Sequence, residues 1–225
     1  MKKIINAQNF RFLVLACFAL SSVYLVAYIF MPQIGPGILT FDDPAILLYY
    51  NLSAIFVLLL PDIIKRFSGF AISGAMLVVY VAFVFSGLFL GTTLNFYGIF
   101  IYWDLFLHFL SGVLLGILGF AMLDFAQKKM PIKPASAAIF AFCFSMAAGK
   151  IWEIYEFGLD STIGTNTQRW ADVYGAPFIG QGALANTMWD MVFNMTGTIL
   201  IVIWGYGRLR GKGWPQGLKI TRAEK

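Results

Sequence analysis

The sequence predicts an all-α polytopic membrane protein: a bundle of six transmembrane helices with both termini in the cytoplasm. Three observations carry that reading. The 225 residues are 60% hydrophobic and only 12% charged, with a mean hydropathy of +0.78, too little charge to solvate the surface of a water-soluble domain. Six windows are long and apolar enough to cross about 30 Å of hydrocarbon at about 1.5 Å per residue. Lys and Arg also gather in alternate connections, as expected when short basic loops stay on the cytoplasmic side.

The first window, about 12–31, follows Lys2, Lys3 and Arg11. Its length and the lack of a small-x-small cleavage site mark a retained helix rather than a signal peptide. The second, about 45–64, starts after Asp42, Asp43 and Pro44, where a carboxylate cap and a proline at the first helical position open a helix. Lys65 and Arg66 separate it from the third, about 70–90. Lys128, Lys129 and Lys133 join the fourth, about 103–124, to the fifth, about 135–157. The connection 158–185 to the sixth window, about 186–205, is rich in Gly, Thr, Asn and aromatic residues; its size fits a lid or re-entrant cover better than a bare linker. Arg208, Arg210, Lys212, Lys219, Arg222 and Lys225 follow the last span, whereas the opposite connections hold only Arg169. The whole chain, 1–225, thus reads as a single membrane domain. Its net charge of +5 is spread over four segments, which suits anionic lipid headgroups and excludes a nucleic-acid face. Cys17 and Cys143 both fall inside spans, so no structural disulfide is expected.

Ionisable side chains are costly within a bilayer, so groups at matching depth on separate helices read as a functional site. Asp104 and His108 lie one turn apart near the start of the fourth span, His108 about 6 Å deeper on the same face. Gly112 and Gly116 continue that stripe, with Ser111 and Gly119 beside it. Small residues at this spacing admit another helix closely, which turns the His108 face toward a neighbour. Lys150, Glu153 and Glu156 occupy the last turns of the fifth span above Gly149, and Asp190, Asn194 and Gly197 open the sixth. All three polar stripes then meet in the outer half of the bilayer, as an outward-facing acidic/His pocket.

Several carboxylates with one imidazole suit a divalent cation: Zn²⁺ takes His nitrogen and carboxylate oxygen, whereas Mg²⁺ or Mn²⁺ prefers oxygens. The candidate metal ligands are Asp104, His108, Glu153 and Asp190. A bound cation activates a coordinated water and a second carboxylate takes its proton, which makes Glu153, Glu156 and Asp190 the candidate catalytic groups. Lys150 and Asn194 are candidates for orienting a ligand, with Lys150 either neutralising an anionic headgroup or pairing with Glu153. Trp152 and Trp189, beside acidic residues, are candidates to line the pocket. Asp160 and Asp172 read as solvated turn residues. The leading reading is an integral cytoplasmic-membrane protein whose outward-facing pocket binds a cation and a lipid headgroup or small polar ligand, an arrangement open to metal-dependent hydrolysis of an envelope lipid headgroup. The same residues leave open a small transporter or proton-coupled carrier, in which Glu153 and His108 relay protons, and a non-catalytic envelope assembly factor. The inner halves of the spans are almost free of ionisable residues, which favours a one-sided pocket over a through-path. No G-x-S-x-G elbow, glycine-rich phosphate loop or H-E-x-x-H motif is present, and a single His excludes bis-histidine haem within one chain.

The runs Trp103-Asp104-Leu105-Phe106-Leu107-His108, Trp152-Glu153-Ile154-Tyr155-Glu156 and Thr187-Met188-Trp189-Asp190-Met191 resemble the YjdF-type family of bacterial inner-membrane proteins. More distantly, Asp104 with His108, Glu153, and then Asp190, Asn194 and Gly197 are similar to the pattern of VanZ-like membrane proteins. Leu105 stands where the VanZ-like pattern commonly has Lys, and Asn186 where YjdF-like sequences often have Asp. The resemblance covers about residues 40–205. It implies a multi-pass protein of the bacterial cytoplasmic (inner) membrane with membrane lipids as its first partners, and for VanZ-like members a link to glycopeptide-antibiotic tolerance.

Overall fold

A computed structural model of the protein describes residues 6–32, 43–126, 132–172 and 175–222. Lys2, Lys3, Lys128, Lys129, Lys225 and the expected cap Asp42 lie outside the described residues. Among those described, six helices are long and apolar enough to span a membrane. The chain is an all-α membrane protein and divides into two compact units, residues 1–101 with 216–225, and residues 102–215.

The first unit holds α1 (Ala7–Phe30), α2 (Pro44–Ser68) and α3 (Gly74–Val84), which continues as a π-helix over Phe85–Thr93 and is followed by the short α4 (Phe96–Ile99). Asp43 caps α2 as expected, accepting from the Ala45 amide at 2.7 Å with Pro44 in the first turn. Its core is an apolar cluster of Val14, Phe18, Ala54, Leu58, Leu77, Val81 and Val84. Two polar devices sit within it. Pro61, inside α2, cannot donate to the carbonyl four residues earlier. Tyr80 on α3 supplies the missing donor, its hydroxyl giving a hydrogen bond to the Val57 carbonyl at 2.6 Å. Asn51, fully buried, donates to Ser21 Oγ at 2.8 Å and accepts from Thr93 Oγ1 at 3.1 Å, binding α1, α2 and the π-helix with the interhelical hydrogen bonds that hydrocarbon favours. Arg11 pairs with Asp62 at 2.6 Å.

Several boundaries differ from the sequence reading. The third span starts at Gly74 rather than near 70, because β1 (Phe70–Ile72) pairs antiparallel with β2 (Ile220–Arg222), in the register Phe70 to Arg222. Gly69, at φ +70°, ends α2 in the left-handed conformation that lets the chain turn into this strand.

The second unit is α5 (Trp103–Ala126), α6 (Pro134–Ile163) and α7 (Gln181–Gly211). Both α6 and α7 extend beyond their apolar windows, so the long connection shrinks to the loop 164–180. The expected close approach of the small-residue stripe is present: Gly112 lies against the Asn194 carbonyl and the Thr198 amide, Gly197 against the Phe109 carbonyl, and Gly119 against Ala141. Ser145 and Thr198 share a hydrogen bond of 2.7 Å and both reach the Gly112 carbonyl. This seam fixes the start of α5, the late turns of α6 and the early turns of α7 around one cluster of ionisable groups.

Candidate functional site

Helix α5 sets Asp104 and His108 one turn apart, with Asp104 Oδ1 3.7 Å from His108 Nε2. The other ring nitrogen, Nδ1, lies 3.6 Å from Glu153 Oε1 on α6. The imidazole therefore stands between two carboxylates on two helices. Its side chain is 11% exposed. Ligand atoms of Asp104, His108 and Asp190 lie within 4.8 Å of one another, and so do those of His108, Glu153 and Glu156. Five of the residues picked out by sequence are thus brought together, in two triads that share His108.

The surroundings treat these carboxylates unequally. Glu153 is 4% exposed, and among the described residues neither of its buried carboxylate oxygens has a donor in hydrogen-bond geometry, the Gln168 side chain being the donor group that acts on it. Asp190, 1% exposed, accepts from Asn186 Nδ2 through Oδ2, and its buried Oδ1 has no hydrogen-bond partner among the described residues. Glu156 accepts from the Trp152 indole at 2.8 Å, giving Trp152 a defined part in the site. Buried acceptors without donors are costly, and those on Glu153 and Asp190 belong to the shared cluster. Asn194 donates to Ser111 Oγ at 2.9 Å and packs its amide against Gly149. It fixes the helix contact beneath His108, since Ser111 in turn donates to the His108 carbonyl.

Three sequence-based expectations change. Lys150 makes no ion pair with Glu153 among the described residues; its ammonium turns to the Met191 sulfur. Asp160 is no bare turn residue. Its carboxylate accepts from Thr165 Oγ1, from the amide and hydroxyl of Thr167, and from the Gln168 amide, and so gathers the loop after α6. Arg169 reads from the sequence only as a topology marker, but its Nε donates to Asp104 Oδ2 at 2.7 Å. The signal for Arg169 is its isolation: no other Lys or Arg stands between Lys150 and Arg208 in the sequence, and this one enters a cluster of acids. Asp172 does act within a turn, accepting from the Ala176 amide.

A cavity of about 20 Å³ lies among His108, Gly149, Lys150, Glu153, Met191 and Asn194. That volume takes one water or one ion and nothing larger. Asp104, Glu153, Glu156 and Asp190 are four acids against the Arg169 guanidinium, the Lys150 ammonium at the cavity and one imidazole. Oxygen and nitrogen donors in this grouping are of the kind that could hold a metal ion.

A family model described as "Predicted membrane protein (DUF2238)" matches residues 13–211. No curated protein and no solved structure matches the chain.

Proposed function

The chain belongs to the family of predicted membrane proteins DUF2238, and we propose that it is a cytoplasmic-membrane hydrolase with one outward-facing divalent-cation site, acting on the polar headgroup of an envelope lipid. The observation that carries the reading is the imidazole of His108 held between carboxylates, 3.6 Å from a Glu153 whose two buried oxygens have no donor in hydrogen-bond geometry among the described residues. A divalent cation supplies what those oxygens lack, and when bound it polarises a coordinated water. A carboxylate of the cluster that does not hold the cation would accept the proton of that water as general base. Arg169 and Lys150 bring positive charge to the same end of the helices and favour an anionic headgroup. The cavity of about 20 Å³ is too small for a headgroup, so the lipid meets the cation at the rim, from the side of the loop 164–180. The likeness to YjdF-type and VanZ-like proteins rests on the motif residues alone and supports the reading by joining Asp104, His108, Glu153, Asp190 and Asn194 in one pattern.

A proton-coupled carrier uses the same acids but needs a continuous path. Below His108 the backbones of α5 and α7 touch at Gly112 and Gly197, and Ser145 and Thr198 close the seam with their hydroxyls on the Gly112 carbonyl. These contacts favour a one-sided site.

The test is elemental analysis of the full chain, purified in detergent and dialysed, followed by incubation with phospholipid vesicles and assay of released water-soluble headgroup. One divalent metal per chain and headgroup release that both vanish in Glu153→Gln are expected. Metal-free, fully folded wild type with no gain on adding Zn²⁺ or Mn²⁺ overturns the proposal.

A further inference from the structure

Two ligand triads share one imidazole, which admits either a pair of cations bridged by His108 or a single cation on one side of the ring. We propose the second: one divalent cation sits at His108 Nδ1 with Glu153 and Glu156, while Asp104 and Arg169 face Nε2 as positioning residues that orient the ring and do not touch the metal. This rests on the cation reading above and assigns the two sides of the site.

The Nε2 side is already charge-paired. Asp104 Oδ2 receives Arg169 Nε at 2.7 Å, and a guanidinium keeps its charge at any accessible pH. A divalent ion ligated by Asp104 would face that cation across one carboxylate, where Coulomb repulsion is poorly screened. The Nδ1 side also has a cation at its edge, since Lys150 lines the cavity, but that ammonium turns to the Met191 sulfur and pairs with neither glutamate among the described residues. Both Glu153 oxygens are buried with no donor in hydrogen-bond geometry among the described residues, and Glu156, which accepts from Trp152 through Oε1, has a second oxygen to offer. The cavity is lined by His108 and Glu153 and by none of Asp104, Asp190 and Glu156; the room for an ion adjoins Glu153, and Glu156 is tied to that side by its ligand-atom distance to His108 and Glu153. A metal-bound His commonly gives its other N–H to a carboxylate, which fixes tautomer and ring orientation. Asp104 Oδ1, 3.7 Å from Nε2, occupies that station.

The loop is built to hold this arrangement. Asp160 binds the backbone amides of Thr167 and Gln168. Asn166 clasps Ala171 through both its amide and its carbonyl, and Gln168 Nε2 reaches the Glu153 carbonyl and Thr187 Oγ1. Arg169 itself sits at φ +49°, a conformation that a non-glycine residue holds only when its surroundings impose it. These bonds deliver the guanidinium to Asp104.

The experiment strips the detergent-solubilised full chain with a chelator and titrates it with Co²⁺, following the visible ligand-field absorption; the SDS-unfolding midpoint of each variant checks its fold. Wild type should bind one equivalent. Asp104→Ala and Arg169→Gln should keep one equivalent and the same absorption envelope, with Kd raised roughly 10- to 100-fold, whereas Glu153→Gln should show no absorption. Because Asp104→Ala removes the carboxylate to which Arg169 Nε donates and can fail to fold, Arg169→Gln provides the second arm. Two equivalents in wild type overturn the assignment in favour of a bridged pair. So does loss of Co²⁺ from a folded Asp104→Ala as complete as from Glu153→Gln, or unchanged affinity in both Asp104→Ala and Arg169→Gln. Wild type that binds no Co²⁺ removes the cation reading itself, and the assignment with it.

Discussion

Placing an alanine at Gly112 tests the seam on which the whole cluster stands. A methyl group there would lie 2.9 Å from the Thr198 nitrogen, where ordinary contact begins at 3.4 Å, and would overlap the Asn194 carbonyl. Both neighbours are backbone of α7 and cannot swing aside, so α5 and α7 must separate. Overfilling a tight contact costs about 1–3 kcal/mol. The separation also weakens the Ser145 and Thr198 bonds to the Gly112 carbonyl and the Asn194 bond to Ser111, each worth about 0.6 kcal/mol in a membrane. The better helix propensity of alanine returns about 1 kcal/mol. The expected net loss is about 3 kcal/mol, roughly a hundredfold in the unfolding equilibrium. Gly207→Ala on α7 is the control, since nothing lies within 4 Å of its added methyl, and it should gain up to about 1 kcal/mol. Reversible unfolding in mixed SDS micelles, followed by tryptophan fluorescence, measures both. A Gly112→Ala protein as stable as Gly207→Ala would refute the backbone contact between α5 and α7, and with it the geometry that joins His108 to Asp190.

Three further outcomes follow from the described contacts. Tyr80→Phe should cost about 1 kcal/mol by leaving the Val57 carbonyl without a donor, yet only a few tenths in a Pro61→Ala background, where the restored amide reaches that carbonyl; equal costs in the two backgrounds on SDS titration would refute the pairing. Asp62→Ala strands Arg11, itself 5% exposed, and should cost about 2 kcal/mol after allowing for the half-exposed Asp62 side chain. The double variant Arg11→Met with Asp62→Ala should recover more than half of that in the same titration, and no recovery would refute the account. Asp160→Ala removes the acceptor for two backbone amides at 2.8 and 2.9 Å, so hydrogen exchange at Thr167 and Gln168 should accelerate roughly 10- to 100-fold for a local loss of about 2 kcal/mol; unchanged protection would sink the proposed fastening of the loop.

What the sequence reveals here follows from what the bilayer enforces. Hydrocarbon demands about 20 apolar residues per crossing, so the spans are legible, and it penalises buried charge, so Asp104, His108, Glu153, Glu156 and Asp190 declare themselves as one set. Where the bilayer enforces nothing, the reading fails. Helix α6 runs on to Ile163 through Asp160, Ser161 and Thr162, because a helix may leave hydrocarbon without ending, while hydropathy falls as soon as polar residues begin. The pairing of Phe70–Ile72 with Ile220–Arg222 joins segments far apart in sequence, and three residues of either carry no mark of the other. Pro61 announces a carbonyl in need of a donor, but only helix rotation decides that Tyr80 provides it. The same blindness shapes the reading of Asp104. Judged by residue type and depth, it is a metal ligand equal to Glu153. Beside an Arg169 delivered by a loop whose fastening begins at Asp160, its carboxylate is already neutralised on one side and turned toward the imidazole on the other. Buried acids are found by the cost of burying them; the groups that orient them lie where burial costs little, and only the folded loop reveals them.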